Sequence, residues 1–480
     1  MLVPRRIRNP VRPKPLAAIT AFALFAVVLP QLGNAQVGGV DLDTVQAGRF
    51  DYGKMWTFEY PPSEYFSETY GFEADEEWFQ RARLSVLRIP GCSASFVSPD
   101  GLVATNHHCV RGVVSRITQE GEALLDSGFV AATLEDERPI PGYYADQLLA
   151  VEDVTDQVFA ATDAAASEEE RERLRGEVLE RLEQTLLEKY GTRITGDSVW
   201  VQMIPLYNGG RYSAYVFNRF TDVRMVVAAE LQMGFFGGDP DNFTYPRYAL
   251  DFAFLRIYGQ DGTPYRPSHW FGWSLDGVEE GDVVFVIGNP GSTNRLKSIA
   301  QLEYQRDVSV PALVSWLESR HEILGDLRAN APPDLAGQLR NAMFGLSNSM
   351  KASGGRLAAL NDPVIMARKA DAERQLQEAI AADPELSAAY GDVFERLAAI
   401  QAERRPMAAR HAAFMQMNNR GFSSALQRRV RLGLGWLEAK EEGQPADSLA
   451  LMAEEMSRIT DSNPALERML LVARFEDVQR

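Results

Sequence analysis

The chain has 480 residues, 45% of them hydrophobic, with 49 Lys and Arg against 66 Asp and Glu for a formal net charge of −17. That length exceeds a single hydrophobic core and predicts two or more domains. The acidic balance, with no long basic cluster after the first residues, excludes a nucleic-acid binder working through phosphate contacts; otherwise it describes solubility and not a substrate.

Residues 1–35 read as a secretory signal. Arg5, Arg6, Arg8, Arg12 and Lys14 precede an apolar run at 16–29, and Gly33, Asn34 and Ala35 offer a small-residue cleavage site. The alternative, a membrane anchor, is disfavoured because the run is shorter than the roughly 20 residues that span a bilayer. Arg5 and Arg6 are shared with twin-arginine signals, but the following residues do not continue that motif, so the general secretory route is expected. The reading is therefore a periplasmic or secreted protein, with no membrane attachment after cleavage, in a compartment that permits a disulfide.

From about 51 to 274 the chain reads mainly as strands and turns, with β-branched and aromatic runs at 84–89, 212–217, 223–228 and 252–258. An exception is 167–190, where Ser167 can cap a helix and Leu174, Val178, Leu182 and Leu186 recur on one face. A further strand is predicted at 283–288. After about Leu296 the pattern turns helical, as in 363–404, where apolar positions return every three or four residues. A β-rich portion followed by a helical one implies separate domains or an insertion. The Met-rich stretch 407–417 is expected to fill core gaps.

The chemistry concentrates in GCSASFVSPDGLVATNHHC at 91–109. It places a histidine directly before a cysteine, downstream of a small-residue strand with another cysteine, which is how a trypsin-like barrel presents its general base. Cys92 and Cys109 are the only two cysteines, and bridging them closes a short loop behind His108. The bland alternative is a structural disulfide beside two surface histidines.

A serine hydrolase needs a nucleophilic hydroxyl, an imidazole base, a carboxylate to orient it and donors for the oxyanion. His108 fits the base, with His107 competing for the role. The pair can also be read as metal ligands, but there is no HExxH pattern or four-ligand Cys and His cluster, so no metal is expected. For the carboxylate, Asp251 stands among Leu250, Phe252, Phe254 and Leu255, where a buried charge requires a partner. Asp239 and Asp241 are alternatives whose Gly, Pro and Asn neighbours suggest turn capping. For the nucleophile, Ser292 in GNPGSTNR lacks a GDSGG-like or GxSxG setting. Ser93, Ser95, Ser347 and Ser349 have no better context.

Several long motifs in order resemble one family, the bacterial exported serine dipeptidyl-peptidases that include dipeptidyl-peptidases 7 and 11. Besides the segment at 91–109 they are EDVTDQV at 152–158, RFTDVRMV at 219–226, GFFGGDPDNFTYPRY at 234–248, GNPGSTNR at 288–295 and SNSMK at 347–351. The resemblance implies a β-rich plus α fold: a chymotrypsin-like double β-barrel carrying a large all-helical domain inserted before its final strands. The barrel would occupy 36–296 and the helical domain 297–480. By the same resemblance His108 is the base, Asp251 its orienting carboxylate, and Asn242, Phe243 and Asn348 hold the free amino terminus of the peptide. Tryptophan often follows the asparagine of that turn, so Phe243 is a departure. Arg247 is read either as positioning the turn or as a surface ion pair.

In the resembling family the nucleophile lies in a GNSGSP-like motif well after the helical domain, whereas this sequence still reads as helix at Arg480. The expectation is a serine dipeptidyl-peptidase acting on oligopeptides without a cofactor, with its nucleophile, oxyanion donors and final barrel segment outside these residues. A non-catalytic protein that binds peptide amino termini is the alternative from another class. A trypsin-type endopeptidase is disfavoured by the helical insertion and the asparagines. Oligomeric state stays open, with a homodimer as one option.

Overall fold

The computed structural model describes residues 36–37, 40–234, 245–291, 293–329, 331, 333–418, 423–459 and 464–479. The expected signal segment, together with Asp239, Asp241, Asn242, Phe243 and Ser292, lies outside the described residues.

A ten-stranded antiparallel sheet dominates the first half of the chain. Its strands are β1 (Val86–Ile89), β2 (Cys92–Phe96), β3 (Leu102–Thr105), β4 (Phe129–Val130), β5 (Arg138–Pro139), β6 (Ala145–Asp153), β7 (Ser198–Leu206), β8 (Arg211–Phe220), β9 (Val223–Ala228) and β10 (Ala253–Ile257). They follow the spatial order β4-β9-β10-β3-β2-β1-β6-β8-β7, with β5 also pairing β9. Among the described residues the two ends of this path do not meet. The structure is thus a mixed α and β fold built on one large sheet, and two closed barrels are not delineated.

Two hydrophobic cores share the sheet. Leu87, Ile89, Phe96, Val103, Met225, Leu255 and Ile257 pack the first, against Val110, Val113, Val114 and Ile117 of helix His107–Ile117. Those helical positions recur at i, i+3, i+4 and i+7, so burying them turns His108 and Arg111 to the opposite face. The second core joins Val201, Tyr212, Ala214 and Val216 to Val158, Val178 and Leu186 of helices Thr155–Thr162 and Glu168–Tyr190. Ser167 caps the second of these helices by accepting the Glu170 N–H, as its sequence predicts. Strand β8 serves both cores. Tyr212, Ala214 and Val216 face the second, a bulge follows between Val216 and Phe217, and Phe220 lies in the first.

Helices begin at Ile299 and continue to Gln479. Helices Val310–Ala329 and Pro333–Asn361 bury Leu317, Leu324, Leu339 and Leu346 together as a third core. Among the described residues no helix is long and apolar enough to cross a membrane.

Three local expectations are corrected. Residues 84 and 85 end helix Glu76–Ser85 instead of opening β1. The run 283–288 is not a strand: Phe285 packs its ring on Phe66, Phe72 and Trp78, but Val284 and Val286 are exposed and no strand pairs with them among the described residues. A lone extended run has nowhere to place its ladder hydrogen bonds. Within 407–417, Met407 and Met415 are 56% and 52% exposed on helix Val393–Asn418, so they do not fill a core.

The hairpin that leads to His108 turns at Gly101, whose φ is +68°. A Cβ there would lie 2.6 Å from the Tyr265 carbonyl oxygen and 2.8 Å from that of Ile257. Gly101→Ala meets both an unfavourable backbone conformation and two fixed backbone atoms. It is expected to lower the unfolding free energy by about 3 kcal/mol, read from urea denaturation.

Candidate active site

Strand β3 ends at Thr105, and Asn106 opens helix His107–Ile117 without a side-chain cap of its own. The first turn of that helix therefore presents unsatisfied backbone N–H groups. Asp251, two residues before β10, reaches them from the neighbouring strand, because β10 pairs with β3 and brings Ala253 opposite Thr105.

The Asp251 carboxylate is held by three groups. His108 Nδ1–H donates to Oδ2 at 2.9 Å and lies 3.1 Å from Oδ1, the His108 backbone N–H donates to Oδ1 at 3.0 Å, and Asn106 Nδ2–H donates to Oδ2 at 3.3 Å and to the Asp251 carbonyl at 3.0 Å. Burial alone would raise the pKa of this carboxyl, but the side-chain and backbone hydrogen bonds of His108, its electrostatic attraction and Arg247 bring it below the usual carboxylate value. The helix N-terminus works in the same direction. Asp251 thus stays ionised near neutrality and fixes the tautomer with the proton on Nδ1, leaving Nε2 as the basic lone pair. The His108 side chain is 39% exposed and that of Asp251 only 9%, so the imidazole is open to an incoming group while its carboxylate is sealed.

The disulfide joins Cys92 of β2 to Cys109, with Cα atoms 6.0 Å apart, and so ties the residue after His108 to the sheet. Both sulfurs and a ring nitrogen of His108 lie within 4.8 Å of one another. With the sulfurs bonded to each other, no thiolate is available there for a metal.

His107 and His108 part company in the structure. His107 is 1% exposed, and a Cβ on Gly234 would lie 2.4 Å from its Nδ1. Burial pushes its pKa down, opposed by the backbone of Ala229 and Gly234 and by Asp251. It is a neutral interior histidine packed on a glycine, and its ring is closed to substrate. Of the serines, Ser93 Oγ accepts the Asn289 N–H at 2.8 Å. Ser95 lies in β2 opposite Ala104, and Ser347 is buried in helix Pro333–Asn361. Asn348 is exposed on that same helix. Sequence reasoning missed Asn106; its only signal was an asparagine directly preceding a helix.

Residues 50–480 match the family described as Peptidase S46. The chain belongs to the peptidase S46 family. The S46 chain is 31% identical over 333 residues to a dipeptidyl-peptidase 7 of Capnocytophaga gingivalis, an alignment covering 67% of this chain and 45% of that protein. It is 28% identical over 392 residues to an Asp/Glu-specific dipeptidyl-peptidase of Shewanella putrefaciens, covering 79% and 52% respectively. The S46 chain thus spans about half the length of these curated relatives. Its fold matches Porphyromonas endodontalis DPP11 in complex with substrate, at TM-score 0.64 and 19% identity, over 88% of this chain and 63% of that one. The same protein in complex with the dipeptide Arg-Glu matches at TM-score 0.62 and 21% identity, over 82% and 58%.

Proposed function

We propose that the chain carries the proton-accepting half of an exported serine dipeptidyl-peptidase, which releases dipeptides from the free amino terminus of oligopeptides. The observation that carries this reading is the single carboxylate of Asp251 bonded to both Nδ1 and the backbone N–H of His108. An imidazole oriented in this way takes a proton from a nucleophilic hydroxyl at Nε2 and returns it to the leaving amine. Membership of the S46 family and similarity to named dipeptidyl-peptidases support the dipeptide product. Export is supported by the signal-like residues 1–35 and by the disulfide.

In this reading Asn348, with Asn242 and Phe243, holds the peptide amino terminus, and a fixed distance from there to the nucleophile measures two residues. The nucleophile itself is assigned to sequence outside these 480 residues, since none of the chain's serines has an activated setting. Base and orienter alone retain little of a triad's rate advantage, because its members act as a unit. The chain as given is therefore expected to cleave dipeptidyl-coumarin substrates barely above background, while binding a free-amino peptide more tightly than its amino-acetylated form in calorimetry. Robust cleavage lost on Ser292→Ala would overturn the assignment of the nucleophile. Equal affinity for the free and acetylated peptides would overturn the amino-terminal reading.

A further inference from the structure

Helix Ala425–Glu441 starts at a capping box, in which the Ser424 side chain accepts the Gln427 N–H and the Gln427 side chain accepts the Ser424 N–H. One side of it packs on the next helix, Ala446–Ser457. Trp436 Nε1–H donates to the Leu449 carbonyl at 3.0 Å, and Gly433 and Gly435 let Met456 and Met452 come close to the backbone. Another side is uncovered. Leu426, Val430, Leu434 and Leu437 follow one another at intervals of four, four and three residues, and each is at least 50% exposed. At about 100° per residue they share an arc of about 80°, which makes one continuous apolar stripe. Val430, Leu434 and Leu437 keep the four-three spacing of a coiled-coil seam.

Arg431 and Glu438 stand together on one flank of this stripe, two turns apart and so about 10 Å from each other along the helix. Among the described residues neither side chain has an ion pair. Symmetry decides what would pair them. A second copy of the helix, running antiparallel about a two-fold axis between Leu434 and Gly435, lays stripe on stripe and sets Arg431 of each copy against Glu438 of the other. A parallel partner in register would turn the same flank toward Leu426 and Gly433 and leave all the charges unpaired.

We propose that helix Ala425–Glu441 is the docking surface for a second copy of this chain, in an antiparallel two-fold contact. The apolar stripe supplies the attraction. The two symmetric Arg431–Glu438 pairs set direction and register, since exposed ion pairs add little affinity of their own. With four apolar residues from each copy the contact belongs to the small, reversible class of interfaces, so association depends on protein concentration. The contact is independent of the peptidase reading, because it uses no residue of the candidate active site.

The test is sedimentation velocity on the 480-residue chain at low salt, over a range of about 1 to 100 μM. The native chain is expected to move from the mass of one copy toward twice that mass as concentration rises. Leu434→Lys puts a charge at the centre of the stripe and should hold the chain monomeric throughout. Arg431→Glu and Glu438→Arg each set like charges opposite one another, and each should weaken association about tenfold. The variant carrying both exchanges restores opposite charges and should associate to within about threefold of the native chain. Leu434 and Glu438 are exposed and Arg431 half-exposed, and circular dichroism checks that each variant keeps its helices. The charge exchange carries the test even where Leu434→Lys disturbs the helix. A native chain that stays monomeric, as it does if another segment or a different protein covers the stripe, would overturn the proposal. So would a dimer untouched by Leu434→Lys, or a double exchange that associates no better than the single ones.

Discussion

Asp251→Asn is expected, on the proposed reading of His108 as general base, to lower dipeptide release by about 10⁴-fold in a form of the protein that carries a nucleophilic serine, with little change in fold. The size of the effect follows from hydrogen-bond inventory. Oδ1 faces the backbone N–H of His108 and Oδ2 faces both its Nδ1–H and the amide of Asn106. Every near neighbour is a donor, so an acceptor is needed at both positions. Asparagine has one carbonyl oxygen and one NH2 group. If the oxygen serves the backbone N–H, the NH2 confronts Nδ1 and drives the imidazole to the tautomer protonated on Nε2, which cannot accept a proton. If it serves Nδ1, the helix start loses its acceptor. The measurement is kcat on a dipeptidyl-coumarin substrate, with circular dichroism to show that the variant folds. A loss below about tenfold would sink the assignment of Asp251.

The pH dependence has a defined sign. The folded carboxyl of Asp251 titrates below its unfolded value, so its contribution to stability is present above the unfolded pKa and is lost as pH falls through the folded one. The stability gap between the native chain and Asp251→Asn should therefore close in acid.

Replacing Cys92 and Cys109 together with alanine should reduce the unfolding free energy by about 3 kcal/mol, as expected for a loop of this size in the chain-entropy account. The bond spans 17 positions and joins β2 to the second residue after the helix start. Both sulfurs pack beside the first core, so the loss has a native-state component as well. Urea denaturation of the double variant, against the native chain with and without a thiol reductant, is the appropriate measurement. A change under about 1 kcal/mol would show that the sheet alone holds the His108 segment.

The amount of this that the sequence discloses depends on how local each feature is. The histidine before a cysteine, with one other cysteine in the chain, needs no tertiary information. Helix Glu168–Tyr190 is equally local, since Ser167 and the leucine spacing mark both its start and its buried face. Asp251 is visible as a charge set among apolar residues. What brings it to His108, the pairing of β10 with β3, is a long-range choice that no window of sequence contains. The run 283–288 shows the opposite failure, because its composition suits a strand but pairing depends on a neighbour. His107 and His108 are indistinguishable as letters, and only the packing of Gly234 against one of them separates interior from opening. Arg111 and Phe344 carry no signal together, because their meeting depends on how two helices far apart in the chain come into register.

The bulge between Val216 and Phe217 has a consequence for how the molecule comes apart. One continuous strand supplies Tyr212, Ala214 and Val216 to one core and Phe220 to the other. Neither core can dissolve without withdrawing a wall from its neighbour. The sheet half that bears His108 and the half braced by the long acidic helix are thus obliged to melt as one cooperative unit.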